Sequence, residues 1–439
     1  MFKKKYYLSL ILLIVCACLV SLSSIDYPAN SVINNSTPII NPQDRVMVIA
    51  PHPDDESIAC AGVIHYCTEK NIPVTVVVLT DGYLSADPVT RHNETVSAMD
   101  LLGVKNENII FLGYKDGTLP SLLNRYWDPS DPYNINGSIN NGNYLFSFEN
   151  NTTYCGANLY DNLVEIVNNF QPTVVFYPDS EDEQIDHWAA NGMTEYVLAK
   201  TNYQGAKYTY IVHDPPDWPS PRSYNPEDDL TPPPELTKIG YKWVSFPLDG
   251  YQERLKEAAL NLYPSQINNI SYIRSFIRTN ELFGVNPEDQ VNISQSNPSN
   301  MTTVILEPMK HDEGRGSVRT REITSVDFSL DNQSAQLEIN TRHNISMTTN
   351  YEVHMLFLGG SNVGRIDLKI NNGTLYYQNF TGDSYQKEPQ NVDIEGNVMK
   401  LKIPSSAFNN VNSFLISSDI ISGNTLIDWT AWRTVEIES

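Results

Sequence analysis

The chain has 439 residues, with 29 Lys or Arg against 52 Asp or Glu, which gives a formal net charge of −23 at pH 7. This charge argues against nucleic acid and anionic lipid as partners, because binding to either requires a basic surface. The length leaves room for two ordinary domains, each with its own core.

Residues 1–24 predict a signal peptide. Lys3, Lys4 and Lys5 precede an apolar run from Leu8 to Leu22. The run is short for a membrane span of about 20 residues, so we expect a secreted or cell-surface protein without a span beyond this leader, while retention of the leader as an anchor stays open. Asn-x-Ser/Thr sequons suit an exported glycoprotein and occur at Asn35, Asn93, Asn151, Asn269, Asn300, Asn344 and Asn379.

After a polar linker at 25–43, the pattern predicts an α/β domain at 44–285. "RVMVIA" at 45–50 is typical of a buried strand, "ESIACAGVIHYCTEKN" at 56–71 of a helix, and "PVTVVVLTDG" at 73–82 of a second buried strand. The alternation continues through "TVVFYPD" at 173–179 and the helix that follows it. We expect a Rossmann-like, mostly parallel sheet with helices on both faces, where ligands bind beyond the carboxyl ends of the strands.

A linker is predicted at 286–301, and the pattern changes after it. Residues 302–439 contain short segments of alternating polar and apolar residues, such as "AQLEINT" and "RIDLKIN", separated by polar turns and without helical periodicity. This pattern predicts an all-β sandwich domain.

The motif "PHPDDE" at 51–56 follows the first strand of the α/β domain. It has no glycine-rich phosphate-binding pattern. His52 and Asp55, together with His187 after a later strand, make up the three-ligand set of a hydrolytic zinc site, and Asp54 is then free to act as a base. The alternative is a helix N-terminus that favours acids, which explains neither His52 nor a second Asp-His pair.

With these motifs the chain resembles the LmbE-like, PIG-L-type N-acetylglucosaminyl deacetylases over about 44–285. Besides His-Pro-Asp-Asp, the resemblance rests on "LTDG" at 79–82, "RHNE" at 91–94, "GYKDG" at 113–117, "YPSQ" at 263–266 and "RTNELF" at 278–283. It implies zinc on His52, Asp55 and His187, with Asp54 as general base and Asp186 as an orienting group.

The resemblance also implies that Arg91 and Asp116 contact the sugar. The alternatives are a surface salt bridge between Arg91 and Glu94, and a simple turn role for Asp116. His311, His343 and His354 are predicted to have no ligand-spaced partners.

One position departs from the family pattern. Gln184 stands where the family's His-x-Asp-His motif has its first histidine. A glutamine can donate an N–H to an oxyanion but cannot deliver a proton. Asp54 or His213 must then protonate the leaving amine, unless His213 is only a loop histidine.

The sequence therefore predicts an exported, zinc-dependent hydrolase that removes the acetyl group from an N-acetylglucosamine-type sugar or glycoconjugate. Iron(II) or manganese is a possible replacement for zinc. Two alternatives stay open: a non-catalytic glycan-binding protein on the same fold, and an amidase for another N-acyl substrate.

Overall fold

The computed structural model describes residues 33–34, 38, 40–135, 144–213, 218–238, 241–285, 290–294, 301–307, 322–331, 334–359, 364–379, 386–423 and 425–438. The predicted signal peptide, most of the first predicted linker and His311 lie outside these residues. Among the described residues, no helix is both long and apolar enough to cross a bilayer.

The first domain is built on one eight-stranded sheet, which confirms the predicted mostly parallel α/β fold. In spatial order the strands are β1 (Ile33–Asn34), β7 (Trp243–Pro247), β8 (Asn280–Gly284), β6 (Ala206–Tyr210), β5 (Val174–Pro178), β2 (Val46–Ala50), β3 (Val74–Thr80) and β4 (Ile109–Tyr114). Only β8 runs antiparallel to its neighbours. The continuous apolar sequences of β2, β3 and β5 are explained by complete burial of these strands.

Helices cover both faces of this sheet. They are α1 (Asp55–Glu69), α2 (Pro88–Leu101), α3 (Leu119–Asn124), α4 (Gly156–Phe170), α5 (Ile185–Lys200), α6 (Pro234–Lys238), α7 (Gly250–Leu260) and α8 (Ile270–Ile273). Short 3₁₀ turns occur at Asn106–Asn108, Pro264–Asn269 and Arg274–Phe276.

The strand order reverses at β2. The chain leaves β2 for β3 on one side, whereas β5, which pairs with the other side of β2, is reached only later. Loops that follow β2 and β5 therefore open away from each other and leave a crevice at the carboxyl ends of these strands. The predicted motif residues lie in those two loops.

The second domain is a sandwich of two sheets, as predicted. One sheet is antiparallel and contains β10 (Thr302–Leu306), β11 (Ile323–Leu330), β12 (Ser334–Thr341), β18 (Val398–Pro404) and β17 (Asp393–Glu395). The other contains, in order, β16 (Gln386–Asn391), β15 (Thr374–Asn379), β14 (Arg365–Asn371), β13 (Asn350–Gly359), β19 (Ser413–Ser422), β21 (Arg433–Glu438) and β9 (Gln290–Ser294), with β20 (Thr425–Trp429) paired to β19. A 3₁₀ turn lies at Ser405–Phe408.

Two segments predicted as linkers contain short strands. Ile33–Asn34 pairs with β7, and Gln290–Ser294 pairs in parallel with the last strand of the sandwich. Both are short and lie among Asn, Ser and Pro residues, so no alternating pattern marks them. The domain boundaries themselves stay a prediction.

The larger sheet of the sandwich packs against the α/β domain. Its inner face contributes to the sandwich core, whereas Leu356, Leu415 and Trp432 on the outer side share a buried cluster with Trp188 and Met193 of α5. The two domains are thus joined by a continuous apolar contact along α5, the helix whose first turn carries His187.

Candidate metal and active site

Three side chains predicted as metal ligands meet at the crevice. Asp55 Oδ2 lies 3.1 Å from His52 Nδ1 and 3.0 Å from His187 Nε2. The two ring nitrogens are 3.3 Å apart. Asp55 begins α1 after the β2 loop, and His187 lies in the first turn of α5, so two helix starts bring the three donor atoms together.

This donor set fits a divalent metal ion. Tetrahedral zinc with Zn–N bonds of 2.0–2.1 Å requires ligand atoms about 3.3 Å apart, close to the three distances found here. Two imidazoles and one carboxylate leave a fourth position for water or substrate, as catalytic zinc sites do. The group is one of several His and carboxylate clusters suited to a cation in the described part of the chain.

Each histidine is oriented by a carboxylate behind it. His52 Nε2 lies 3.2 Å from Asp186 Oδ2, and Asp186 also accepts N–H groups from Gly117 and Leu119. His187 Nδ1 lies 3.0 Å from Asp182 Oδ2. Such partners fix the tautomer and direction of metal-binding imidazoles.

Asp182 is a functional residue that the sequence analysis missed. Its Oδ2 also accepts backbone N–H groups of Val212 and His213, at 2.7 Å and 3.0 Å. The available signal was its place five residues before His187, but Glu181 and Glu183 beside it make the run ambiguous.

Burial and ion pairing act in opposite directions on the pKa values of the clustered side chains. Burial would lower the pKa of His187, yet Asp182 and Asp55 raise it to about 9. Burial also opposes ionisation of Asp182 and Asp55, but the adjacent histidines hold the pKa of both carboxyls well below its usual value. Both carboxylates are therefore ionised.

Asp54 has a strained backbone beside the ligands. Its φ is 130°, a conformation that only glycine adopts readily. Its N–H donates to Glu56 Oε2 at 3.1 Å, and its Oδ2 lies 3.2 Å from Arg91 Nη2. Burial raises the pKa of the Asp54 carboxyl, although Arg91 opposes the shift. A carboxylate in this position suits a general base.

Arg91 is inside the wall of the crevice and not on the surface. Its side chain is almost fully buried, donates to Pro53 O and to Ser265 Oγ, and lies 3.5 Å from Glu94. The alternative, a salt bridge with Glu94 on the surface, is therefore wrong in its location, because the two side chains pair but are buried. A contact between Arg91 and substrate stays a prediction.

Asp116 and Gln184 both approach His52. Asp116 Oδ1 and Gln184 Nε2 lie 3.3 Å and 3.2 Å from His52 Nε2. Gln184 is the N-cap of α5, and its Oε1 accepts the N–H groups of Asp186 and His187. The amide nitrogen of Gln184 is thus directed to the crevice while its oxygen starts the helix.

His213 lies beside this group. Its ring centroid is 4.8 Å from that of His187, and its Nδ1 is 3.3 Å from Asp182 Oδ1. A cleft of about 470 Å³ opens over the whole arrangement and is lined by His52, Asp54, Asp55, Asp116, Gln184 and His213, among others. Every catalytic and metal residue predicted from the sequence except His187, which lies fully buried beneath, therefore lines one cleft.

The prediction for His354 is wrong, because this residue does have ligand-spaced partners. Its Nδ1 and Nε2 face Asp367 and Asp419 at 2.5 Å and 3.4 Å, and Glu352 is nearby. Arg365 pairs with Asp367. Lys369 Nζ lies 3.2 Å from Glu352 Oε1 and Arg125 Nη2 lies 3.6 Å from it. Cations already balance these acids, so the group forms an ion-pair network.

Comparison with known proteins adds family information. Residues 47–198 match the PIG-L family, described as GlcNAc-PI de-N-acetylase. The probable N-acetyl-alpha-D-glucosaminyl L-malate deacetylase 2 of Bacillus anthracis is 36% identical over 87 residues, which cover 17% of this chain and 38% of that protein. The chain thus matches less than two fifths of that relative's length.

Solved structures show weaker likeness. The A40926 pseudoaglycone deacetylase has a TM-score of 0.37 at 15% identity, with 55% of this chain and 97% of that chain covered. The N,N'-diacetylchitobiose deacetylase of Pyrococcus horikoshii has a TM-score of 0.32 at 18% identity, with 55% and 82% covered. At these values the likenesses support no inference about activity.

Proposed function

We propose that the protein, whose residues 47–198 match the PIG-L family, is a metal-dependent deacetylase acting on an N-acetylglucosamine-type sugar or glycoconjugate. The observation that carries the proposal is the convergence of His52 Nδ1, Asp55 Oδ2 and His187 Nε2 within 3.3 Å of one another, beside Asp54. A binding protein would need neither this ligand set nor a strained carboxylate next to it.

His52, Asp55 and His187 would hold a divalent ion, which would act as a Lewis acid toward the acetyl carbonyl and would make a bound water more acidic. Zinc suits two imidazoles and one carboxylate, and iron(II) or manganese also accepts this donor set. The same three residues must be deprotonated to bind the ion.

The side chains around the ligands provide the remaining steps. Asp54 accepts a proton from the water whose oxygen adds to the acetyl carbon. The Gln184 amide donates an N–H to the oxyanion of the tetrahedral intermediate. Asp54 or His213 then protonates the nitrogen, the C–N bond breaks, and acetate and a free amine leave.

The proposed substrate class is based on the family match as well as on the residues of the cleft. The relative named above is called a glucosaminyl malate deacetylase, and the family description names a GlcNAc substrate. Arg91 and Asp116 on the cleft wall are proposed to contact the sugar, since a guanidinium and a carboxylate are suitable partners for hydroxyl groups.

We further propose that the enzyme acts outside the cytoplasm. The lysine-rich start, the apolar run and the following serines support this proposal. Fractionation of the producing cells, with mass analysis of the mature N-terminus, tests it: full-length protein retained in the cytosol contradicts export.

The deacetylase proposal is tested by acetate release from chitooligosaccharides and from simple N-acetylglucosaminides. We expect turnover by metal-loaded protein and a loss of about 10²–10⁴-fold in Asp54→Asn. Asparagine has the same shape as aspartate and Asp54 is not one of the three proposed ligands, so this variant should keep the loop and retain its metal. Metal-loaded wild-type protein that releases no acetate from any N-acetyl sugar would contradict the proposal and favour a glycan-binding protein or another amide substrate.

A further inference from the structure

A residue of the second domain contacts the loop that carries Asp182. This loop joins β5 to α5, and its Ser180 and Glu181 are both buried. Arg433, in the last strand of the sandwich, donates through Nη1 to Ser180 Oγ at 3.1 Å and through Nη2 to Glu181 Oε1. Arg433 is itself only 7% exposed, so this is a buried ion pair across the domain contact.

The contact lies one residue from the group that orients a metal ligand. Asp182 follows Glu181 directly and holds the imidazole of His187 at 3.0 Å. Because Glu181 is buried, its charge requires a cation close by. The Arg433 guanidinium is that cation and also donates to Ser180, so Arg433 contacts the two residues that immediately precede Asp182.

The same part of the sandwich also contacts Trp188, the residue that follows His187 in the chain. Trp188 Nε1 donates to Thr430 O at 2.7 Å, and the Trp188 ring stacks on Trp432 with centroids 5.3 Å apart. The sandwich segment 430–433 therefore contacts the chain both before Asp182 and after His187. The segment between these contacts carries Asp182, Gln184, Asp186 and His187.

We propose that Arg433 is a positioning residue for the metal site, acting through Ser180 and Glu181 on Asp182 and His187, so that the β-sandwich completes the site of the α/β domain. The proposal rests on the metal-dependent function proposed above. It assigns the sandwich a role in catalysis that does not depend on glycan binding.

Another ion pair across the same domain contact provides a matched control. Arg125 Nη2 lies 3.6 Å from Glu352 Oε1, and the Arg125 side chain is one-third exposed. Arg125 follows α3, and neither partner of this ion pair belongs to the β5–α5 loop. Loss of Arg125 removes a cation from the domain contact while the 430–433 segment keeps its partners.

The test is the affinity of metal-free protein for Zn²⁺, measured by competition with a chromogenic chelator, in wild type and in Arg433→Ala, Arg433→Lys and Arg125→Ala. Loss of an outer group behind a metal ligand weakens affinity roughly 10–100-fold. We expect about tenfold weaker Zn²⁺ binding in Arg433→Ala. Arg433→Lys should recover part of the affinity, because it restores the positive charge but not the two-pronged guanidinium. Arg125→Ala should change the affinity less than about twofold.

A double variant separates positioning from the presence of an unpaired buried charge. Glu181→Gln with Arg433→Met removes both charges at similar volume, so it should fold even if Arg433→Ala does not. We expect its Zn²⁺ affinity to stay about tenfold weaker than wild type. Wild-type affinity in this folded double variant would overturn the proposal. Because the readout is metal binding, failure of acetate release alone leaves this test intact and counts only against the deacetylase proposal.

Discussion

Asp182 connects the proposed metal ligand His187 to the rest of the α/β domain. Its two oxygens face the His187 ring and backbone N–H groups of Gln184, Val212 and His213. Because each of these groups donates a hydrogen bond, an ionised carboxylate, which only accepts, is the side chain that matches them all. Burial would raise the pKa of Asp182, but His187 and His213 hold it well below its usual value.

We predict that Asp182→Asn weakens Zn²⁺ affinity about 10–100-fold. Its amide NH₂ can accept no hydrogen bond, so the His187 ring or a backbone N–H loses its partner. Chelator competition measures the effect, with the exposed Asp161→Asn on α4 as control. Equal affinity in the two variants would mean that His187 is held without Asp182.

Gln184 has separable roles, because its oxygen caps α5 and its nitrogen faces His52. Gln184→Glu keeps the capping oxygen and removes the N–H donor. We predict retained thermal stability and acetate release lowered about 10²-fold, the cost of one lost oxyanion donor. Steady-state kinetics should show the loss in kcat. Unchanged kcat would exclude Gln184 as the oxyanion donor.

At the residue level the sequence predicted the side chains that converge in the crevice and Asp186 behind His52, but not Asp182 behind His187. His52 was identifiable because a histidine with acids at the end of a buried strand has few structural explanations. His187 was identifiable because it belongs to an Asp-His pair that follows a later strand. Asp182 lies in the acid-rich run "DSEDEQIDH", where spacing alone does not distinguish the carboxylate that faces inward. The partners of Arg433 come from more than 250 residues away in the chain, and no local pattern marks such a contact.

At the level of elements, α5 joins the metal site to the sandwich, and Gly192 is the position that allows the contact. A Cβ built at Gly192 would lie 2.5 Å from Trp432 Nε1. The ring stacked on Trp188 therefore packs directly on the helix backbone.

We predict that Gly192→Ala destabilises the protein by about 1–2 kcal/mol, because overpacking costs about 1–3 kcal/mol and exceeds a helix-propensity gain of about 1 kcal/mol. Urea unfolding measures the change. Gly250→Ala is the matched control, since a Cβ there meets only Arg254 Nη1, at 3.5 Å. That variant should be neutral or slightly more stable. Equal effects of the two substitutions would contradict tight packing of Trp432 on α5.

The main elements of both domains were predictable because their patterns are strong. Continuous apolar runs predicted β2, β3 and β5, and alternation predicted sandwich strands such as Ser334–Thr341. The antiparallel direction of β8 was not predictable, because strand direction depends on chain connections and not on residue type. The strand Gln290–Ser294 was missed because its pairing with β21 is set by the whole sandwich.

For the whole molecule, the domain contact combines an apolar cluster with a buried ion-pair network around His354. The imidazole is enclosed by Asp367 and Asp419 on the neighbouring strands and by Glu352 on its own strand. Arg365, Lys369 and Arg125 are the cations that face these acids. Burial alone would lower the pKa of His354, but the two aspartates raise it to about 9.

This shift predicts a loss of stability at alkaline pH. A histidine whose pKa is about 9 in the folded protein and 6.5 when unfolded stabilises the fold fully below pH 6.5, and this contribution disappears as the pH rises through 9. The contribution is about 3 kcal/mol at most. We expect the free energy of unfolding, measured in urea, to fall between about pH 6 and pH 10 more steeply in wild type than in His354→Gln, which carries no titrating charge there. Other groups titrate in both proteins, so the difference between the two curves isolates His354. Parallel curves would mean that the imidazole is neutral in the folded protein, and that Arg365, Lys369 and Arg125 balance the acids at the domain contact without it.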